Sequence, residues 1–187
     1  AETYDISEDG KTYTFHLRDA KWSNGDAVTA ADFVFGWQRA VDPATASEYS
    51  YMLSDIGQVV NAAEIIAGEK PVTDLGVSAV DDKTLEVQLN VPVSYFLSLM
   101  YFPTFYPVNE AFYNSCADTF GTSPDTVLSN GAFKLTDYQP AATAFTLEKN
   151  PDYYDADKIA LDSLAYQVIK DSQQALMSYQ TGALDMT

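Results

Sequence analysis

The chain has 187 residues, 47% of them hydrophobic, and a formal net charge of −17 from 27 acidic and 10 basic residues. That length and apolar content suffice for a buried core in one or two domains, and no low-complexity stretch marks the chain as disordered. The acidic balance argues against a nucleic-acid or anionic-membrane surface, since both need clustered Lys and Arg, and no apolar run reaches the ~18 residues of a membrane span.

In chain order, Tyr13, Phe15 and Leu17 alternate with Thr12, Thr14, His16 and Arg18, the pattern of a half-buried strand. Asn24-Gly25 is a turn pair, because both residues tolerate positive φ. Thr29 followed by Asp32 predicts a capping-box-like helix start, with Asp in place of the usual Glu. Phe33, Val34, Trp37, Ala40 and Val41 then share one helical face, and Pro43 stops the helix. Trp22 and Trp37 are expected to pack in the core. Residues 42–51 are turn-rich and carry two tyrosines, Tyr49 and Tyr51.

Residues 56–68 read as a helix with Val59, Val60, Ala63 and Ile66 on one side and Gly68 as its stop. Residues 76–80 and 84–89 predict a hairpin around Asp81, Asp82 and Lys83. Residues 95–101 are expected to make one or two helical turns. The run Phe102-Pro-Thr-Phe-Tyr-Pro107 predicts a rigid, non-helical passage, and a division between two modules is placed near it. Beyond it, residues 110–116 read as a short helix and residues 120–130 as a loop. Residues 133–138 and 145–149 read as paired strands, with a turn at Asn150-Pro151-Asp152. Residues 164–169, apolar on both faces, read as a central strand. Asp171 caps a last helix whose Ala175, Leu176 and Tyr179 share a face and which ends at Gly182. Both ends read as cut, so the chain is expected to be an excised fragment.

The chemistry of catalysis is sparse. His16 is the single histidine and Cys116 the single cysteine, so neither a histidine-based acid–base pair nor a disulfide arises. Cys116 is expected to be a small buried residue. Asp152, Asp155, Asp157 and Asp162 lack the glycine and glutamate spacing of a calcium loop and read as a solvated acidic segment. No cofactor, metal or enzymatic role is expected. What the chain has in excess is 13 Tyr and 10 Phe. Tyrosine suits the walls of a binding pocket, giving apolar area and a hydroxyl at low entropic cost.

The run from Arg18 through Trp22-Ser-Asn-Gly-Asp26 and the helix to Pro43 resembles a signature of the bacterial oligopeptide-binding proteins. These are family 5 extracellular solute-binding proteins serving ABC importers. Ser129-Asn-Gly-Ala-Phe-Lys-Leu135, Leu147-Glu-Lys-Asn-Pro-Asp-Tyr-Tyr154 and Tyr179-Gln-Thr-Gly-Ala-Leu-Asp185 resemble further stretches of that family, in the same order. The oligopeptide branch is also resembled at Ala46-Ser-Glu-Tyr49, Pro71-Val-Thr-Asp-Leu-Gly-Val77 and Val80-Asp-Asp-Lys-Thr-Leu-Glu-Val87. The resemblance implies an α/β, mixed-sheet, periplasmic-binding-protein-like fold (type II, peptide-binding branch), present only in part. Residues 1–108 would be the small extra lobe of that branch and residues 109–187 part of the large ligand-binding lobe. The implied partners are an oligopeptide and, through the intact receptor, an ABC permease, with no nucleic acid and no direct membrane insertion. The implied location is extracytoplasmic, periplasmic or on a cell-surface lipoprotein. A dipeptide, nickel, haem or sugar receptor of the same family, or a stand-alone structural domain, are the alternatives. The implied ligand-binding residues are Tyr49 and Phe102, where Phe102 matches a position that is histidine in some relatives, followed by Phe105 and Tyr106 on the same passage.

Overall fold

A computed structural model describes residues 1–187. The chain forms two compact units: Ala1–Ala20 with Ala27–Ser115, and Lys21–Asp26 with Cys116–Thr187. The division between Ser115 and Cys116 thus lies at the end of the helix Glu110–Cys116, beyond the proline passage. The backbone N–H of Val28 donates to the carbonyl of Ala20, closing the excursion Lys21–Asp26 at its base.

The first unit is built on an antiparallel sheet of β1 (Thr3–Ile6), β2 (Thr12–His16), β3 (Val77–Asp81) and β4 (Thr84–Gln88), in the order β1-β2-β4-β3. Register places Tyr13 beside Val87 and Phe15 beside Leu85, so the alternation read from the sequence becomes one apolar face. Helix α1 (Ala30–Val41) packs on that face through Ala30, Trp37 and Val41, all buried. Its start is fixed as expected: the Asp32 carboxylate accepts from the Thr29 backbone N–H at 2.9 Å. Its end is fixed by Asp42, which leaves the helix at φ −64, ψ 120 and accepts from the Ala44 N–H through its side chain. Leu53, Val59, Ala62, Ile65 and Phe96 complete the core. Burial of each large aliphatic side chain contributes about 1.5–3 kcal/mol.

The helix expected over residues 56–68 is broken. A π-type turn covers Met52–Ile56, and only α2 (Ala62–Ile66) is α-helical. Gln58 (φ 55) and Asn61 (φ 64) lie in the left-handed region, which ends any right-handed helix. Val59 instead bridges Leu89, and Val60 exchanges backbone hydrogen bonds with Gln88 and Gly76. The buried side is therefore Val59, Ala62 and Ile65. Gly68, at φ 77, does stop the segment.

Helices α3 (Phe96–Leu99) and α4 (Glu110–Cys116) flank the proline passage. That passage contains a 3₁₀ turn at Pro103–Phe105, so it is not wholly non-helical. Cys116 is only half-buried.

The second unit carries a three-stranded antiparallel sheet of β5 (Phe133–Asp137), β6 (Ala144–Lys149) and β7 (Ser163–Gln167), in that order. Within these 187 residues the segment read as a central strand is the outer strand of this sheet, and most of it is exposed. Leu135, Leu147 and Leu164 align across one face, and Phe145 stacks on Tyr166 with centroids 4.8 Å apart. Helix α5 (Ser172–Gln180) begins at Asp171, whose side chain accepts from the Gln174 N–H at 2.8 Å. The buried residues of this unit are Trp22 and Asn150. The Asn150 amide donates to the Gly131 carbonyl at 2.9 Å, and its backbone N–H donates to Ala132 at 2.9 Å. The Ser23 N–H donates to the Ser129 carbonyl at 2.7 Å.

Candidate ligand-binding site

After α1 the chain passes through a 3₁₀ turn at Pro43–Thr45 and a left-handed Ala46. Two tight turns follow, and they throw Tyr49 and Tyr51 outward, 49% and 43% exposed. Phe102 arrives from a different part of the chain. The end of α3 fixes it, its N–H donating to the Leu99 carbonyl at 2.9 Å, and Pro103 then starts the 3₁₀ turn. The Tyr49 and Phe102 rings meet at a centroid distance of 5.2 Å and 60°, and Tyr49 meets Tyr51 at 6.2 Å and 38°. The result is a shelf of tilted, mutually braced rings, open to solvent on one side.

The other two residues expected at the site go elsewhere. Phe105 is 2% exposed and sits edge-on to Trp37 at 5.1 Å. The Trp37 indole N–H donates to the Phe105 carbonyl at 3.0 Å. Phe105 is therefore a core residue with no surface for a ligand, and it anchors the passage that presents Phe102. Tyr106 is exposed, but its hydroxyl donates to the Tyr101 carbonyl at 2.9 Å, and no ring contact ties it to the shelf. Tyr51 was missed. The signal for it was its spacing of two from Tyr49 in Ser-Glu-Tyr-Ser-Tyr, which puts two tyrosines in one exposed turn.

Helix α1 supports the shelf from below. The Val108 N–H donates to the Asp32 carbonyl at 3.0 Å, so the passage is tied to α1 at both Phe105 and Val108. Gly36 lies between these ties, where an added Cβ would stand 2.9 Å from the Tyr106 carbonyl oxygen. Residues 91–109 contain no Asp, Glu, Lys, Arg or His, and residues 43–69 contain four acids and no base. Such a surface offers apolar area, π faces and two hydroxyls, which is the chemistry of binding.

His16 stands apart from the shelf. Its Nε2 is 2.8 Å from the Asp5 carboxylate, on the sheet face that carries Thr14 and Glu86. Residues 1–187 match the family described as bacterial extracellular solute-binding proteins, family 5, middle region. The chain belongs to that family. A family 5 relative, the periplasmic oligopeptide-binding protein OppA of Escherichia coli K12, is 43% identical over 100% of this chain and 34% of its own length. The probable deoxycholate-binding periplasmic protein YgiS of the same organism is 42% identical, over 100% of this chain and 35% of its own. Among solved structures, Listeria monocytogenes OppA bound to peptide superposes with a TM-score of 0.91 at 44% identity, covering 98% of this chain and 36% of that one. This segment thus spans about a third of the length of the family 5 relatives it matches. None of its helices is long and apolar enough to cross a membrane.

Proposed function

We propose that this chain is part of the extracytoplasmic solute-binding component of a peptide ABC importer, which captures oligopeptides and delivers them to a membrane permease. The observation that carries this reading is the likeness, across nearly the whole chain, to a family member solved with peptide bound. The exposed ring shelf of Tyr49, Tyr51 and Phe102 supports it, because apolar area with adaptable hydroxyls is what a receptor of varied peptides needs. In this reading the first unit is the small extra lobe of the peptide-binding branch, and the second is part of the large ligand-binding lobe. The protein works in the periplasm or as a surface lipoprotein, needs no cofactor, and binds without cleaving.

A second solute class has a specific observation in its favour. The probable deoxycholate-binding relative is as similar as the peptide-binding one, and a ring shelf also fits the flat face of a sterol acid. Native mass spectrometry of the full-length protein, followed by titration calorimetry with mixed oligopeptides and with deoxycholate, separates the two. Peptide carried from the host and micromolar or tighter peptide binding are expected, with the peptides recovered intact. Deoxycholate binding without peptide binding would overturn the peptide reading.

A further inference from the structure

The shelf is built from rings alone, and its chain neighbourhood carries charge of one sign only. Tyr49 touches Tyr51 and Phe102, and both tyrosines are exposed residues. The ionisable residues nearest in sequence to the two tyrosines are Glu48 and Asp55, both exposed. The stretch supplying Phe102 has no charged residue from 91 to 109, and no base occurs from 43 to 69. We propose that the Tyr49–Tyr51–Phe102 shelf selects peptides by charge, seating a Lys or Arg side chain against its rings and disfavouring an acidic one. This rests on the shelf being part of the peptide-binding wall.

The physical argument has two parts. An aromatic face carries the negative end of the ring quadrupole, so a guanidinium or ammonium laid on it is attracted, Arg more than Lys because it also stacks. A Leu side chain gains only apolar contact there. A carboxylate meets the same negative faces, with Glu48 and Asp55 close in sequence to two of the rings and no base within either stretch to neutralise it. The long stem of Lys or Arg can lie across the rings while its head remains hydrated, so the desolvation cost stays small.

The test uses the full-length protein and an alanine-rich pentapeptide with Arg, Leu or Glu placed at each position in turn, read by titration calorimetry. The expected result is one position at which Arg binds about fivefold or more tighter than Leu, and Leu tighter than Glu. In the Tyr49→Leu/Tyr51→Leu double variant, the Arg-to-Leu ratio should fall to about one. Tyr49→Phe, which keeps the ring, should keep the ratio. Glu48→Gln should narrow the gap between Leu and Glu, as should raising the salt. Thermal melting of each variant confirms that it is folded. Equal binding of Arg and Leu at every position would overturn the inference while leaving peptide binding intact. A preference that survives in the folded double variant would also overturn it, by placing the selection elsewhere. Failure of every peptide to bind would instead overturn the reading of the shelf as a peptide wall.

Discussion

Tyr49 and Phe105 are both aromatic residues of the sequence-predicted site, and their surroundings give them opposite consequences. Tyr49 is half-exposed and braced only by other shelf rings, whereas Phe105 is enclosed by Trp37 and Phe96. Tyr49→Ala is expected to weaken peptide binding by about 1–3 kcal/mol in calorimetry, with a near-normal melting temperature. Phe105→Ala is expected to cost about 3–5 kcal/mol of folding stability in denaturant titration. An unchanged affinity in folded Tyr49→Ala would remove that residue from the site. Sequence spacing could not separate the two, because both lie in aromatic runs with no periodicity. What separates them is the indole hydrogen bond from Trp37, which comes from far along the chain. At the hairpin turn, the Lys83 backbone N–H donates to Asp81 at 2.8 Å and, with the Thr84 hydroxyl next in effect, holds its carboxyl below the ordinary aspartate value. The stability this gives is present above that ordinary value and is lost as the pH falls through the lowered one. Asp81→Asn should therefore flatten the acid side of the melting-temperature profile; an acid limb as steep as the parent's would contradict this.

At the scale of elements, α1 was legible because every signal in it is local. Thr29 and Asp32 fix its start, the apolar face its packing, and Pro43 its stop. The hairpin of β3 and β4 was legible for the same reason. Residues 56–68 were misread because left-handed Gln58 and Asn61 are stabilised by long-range partners. The Asn61 amide donates to the Asp74 carbonyl at 2.6 Å, and Val59 bridges Leu89. Nothing in the local pattern announces either. Gly36 provides an element-scale test. In an exposed helix Gly→Ala is stabilising by about 1 kcal/mol, but here a methyl group would press on backbone atoms of Tyr106 and Val108. Gly36→Ala is expected to destabilise the fold by about 1–3 kcal/mol and to loosen the passage bearing Phe102. A raised melting temperature in this variant would show that α1 does not sit against that passage.

For the whole molecule, the two units differ in how well they are filled. The first has a continuous core, while the second has a sheet face whose Leu135, Phe145, Leu147 and Leu164 are half-buried and whose Tyr166 is exposed. The 187 residues span about a third of the family 5 relatives. A cleft buries most of its ligand only when both walls are present, and a lone wall leaves the peptide's ordering entropy uncompensated. The isolated segment is therefore expected to fold yet bind oligopeptides at least about tenfold more weakly than the full-length protein, measured side by side by calorimetry. Equal affinity would place the whole peptide site within these residues.

The excursion Lys21–Asp26 also sets an order in time. Ser129, which Ser23 must meet, lies 106 residues further along the chain. As the polypeptide emerges from N- to C-terminus, the residues of the first unit within this segment have all appeared once Ser115 is out. Ser23 must then wait for a partner not yet made. That interval is when a chaperone has something to hold, and shortening it by moving Lys21–Asp26 nearer to Ser129 would be the way to make this protein quicker to finish folding.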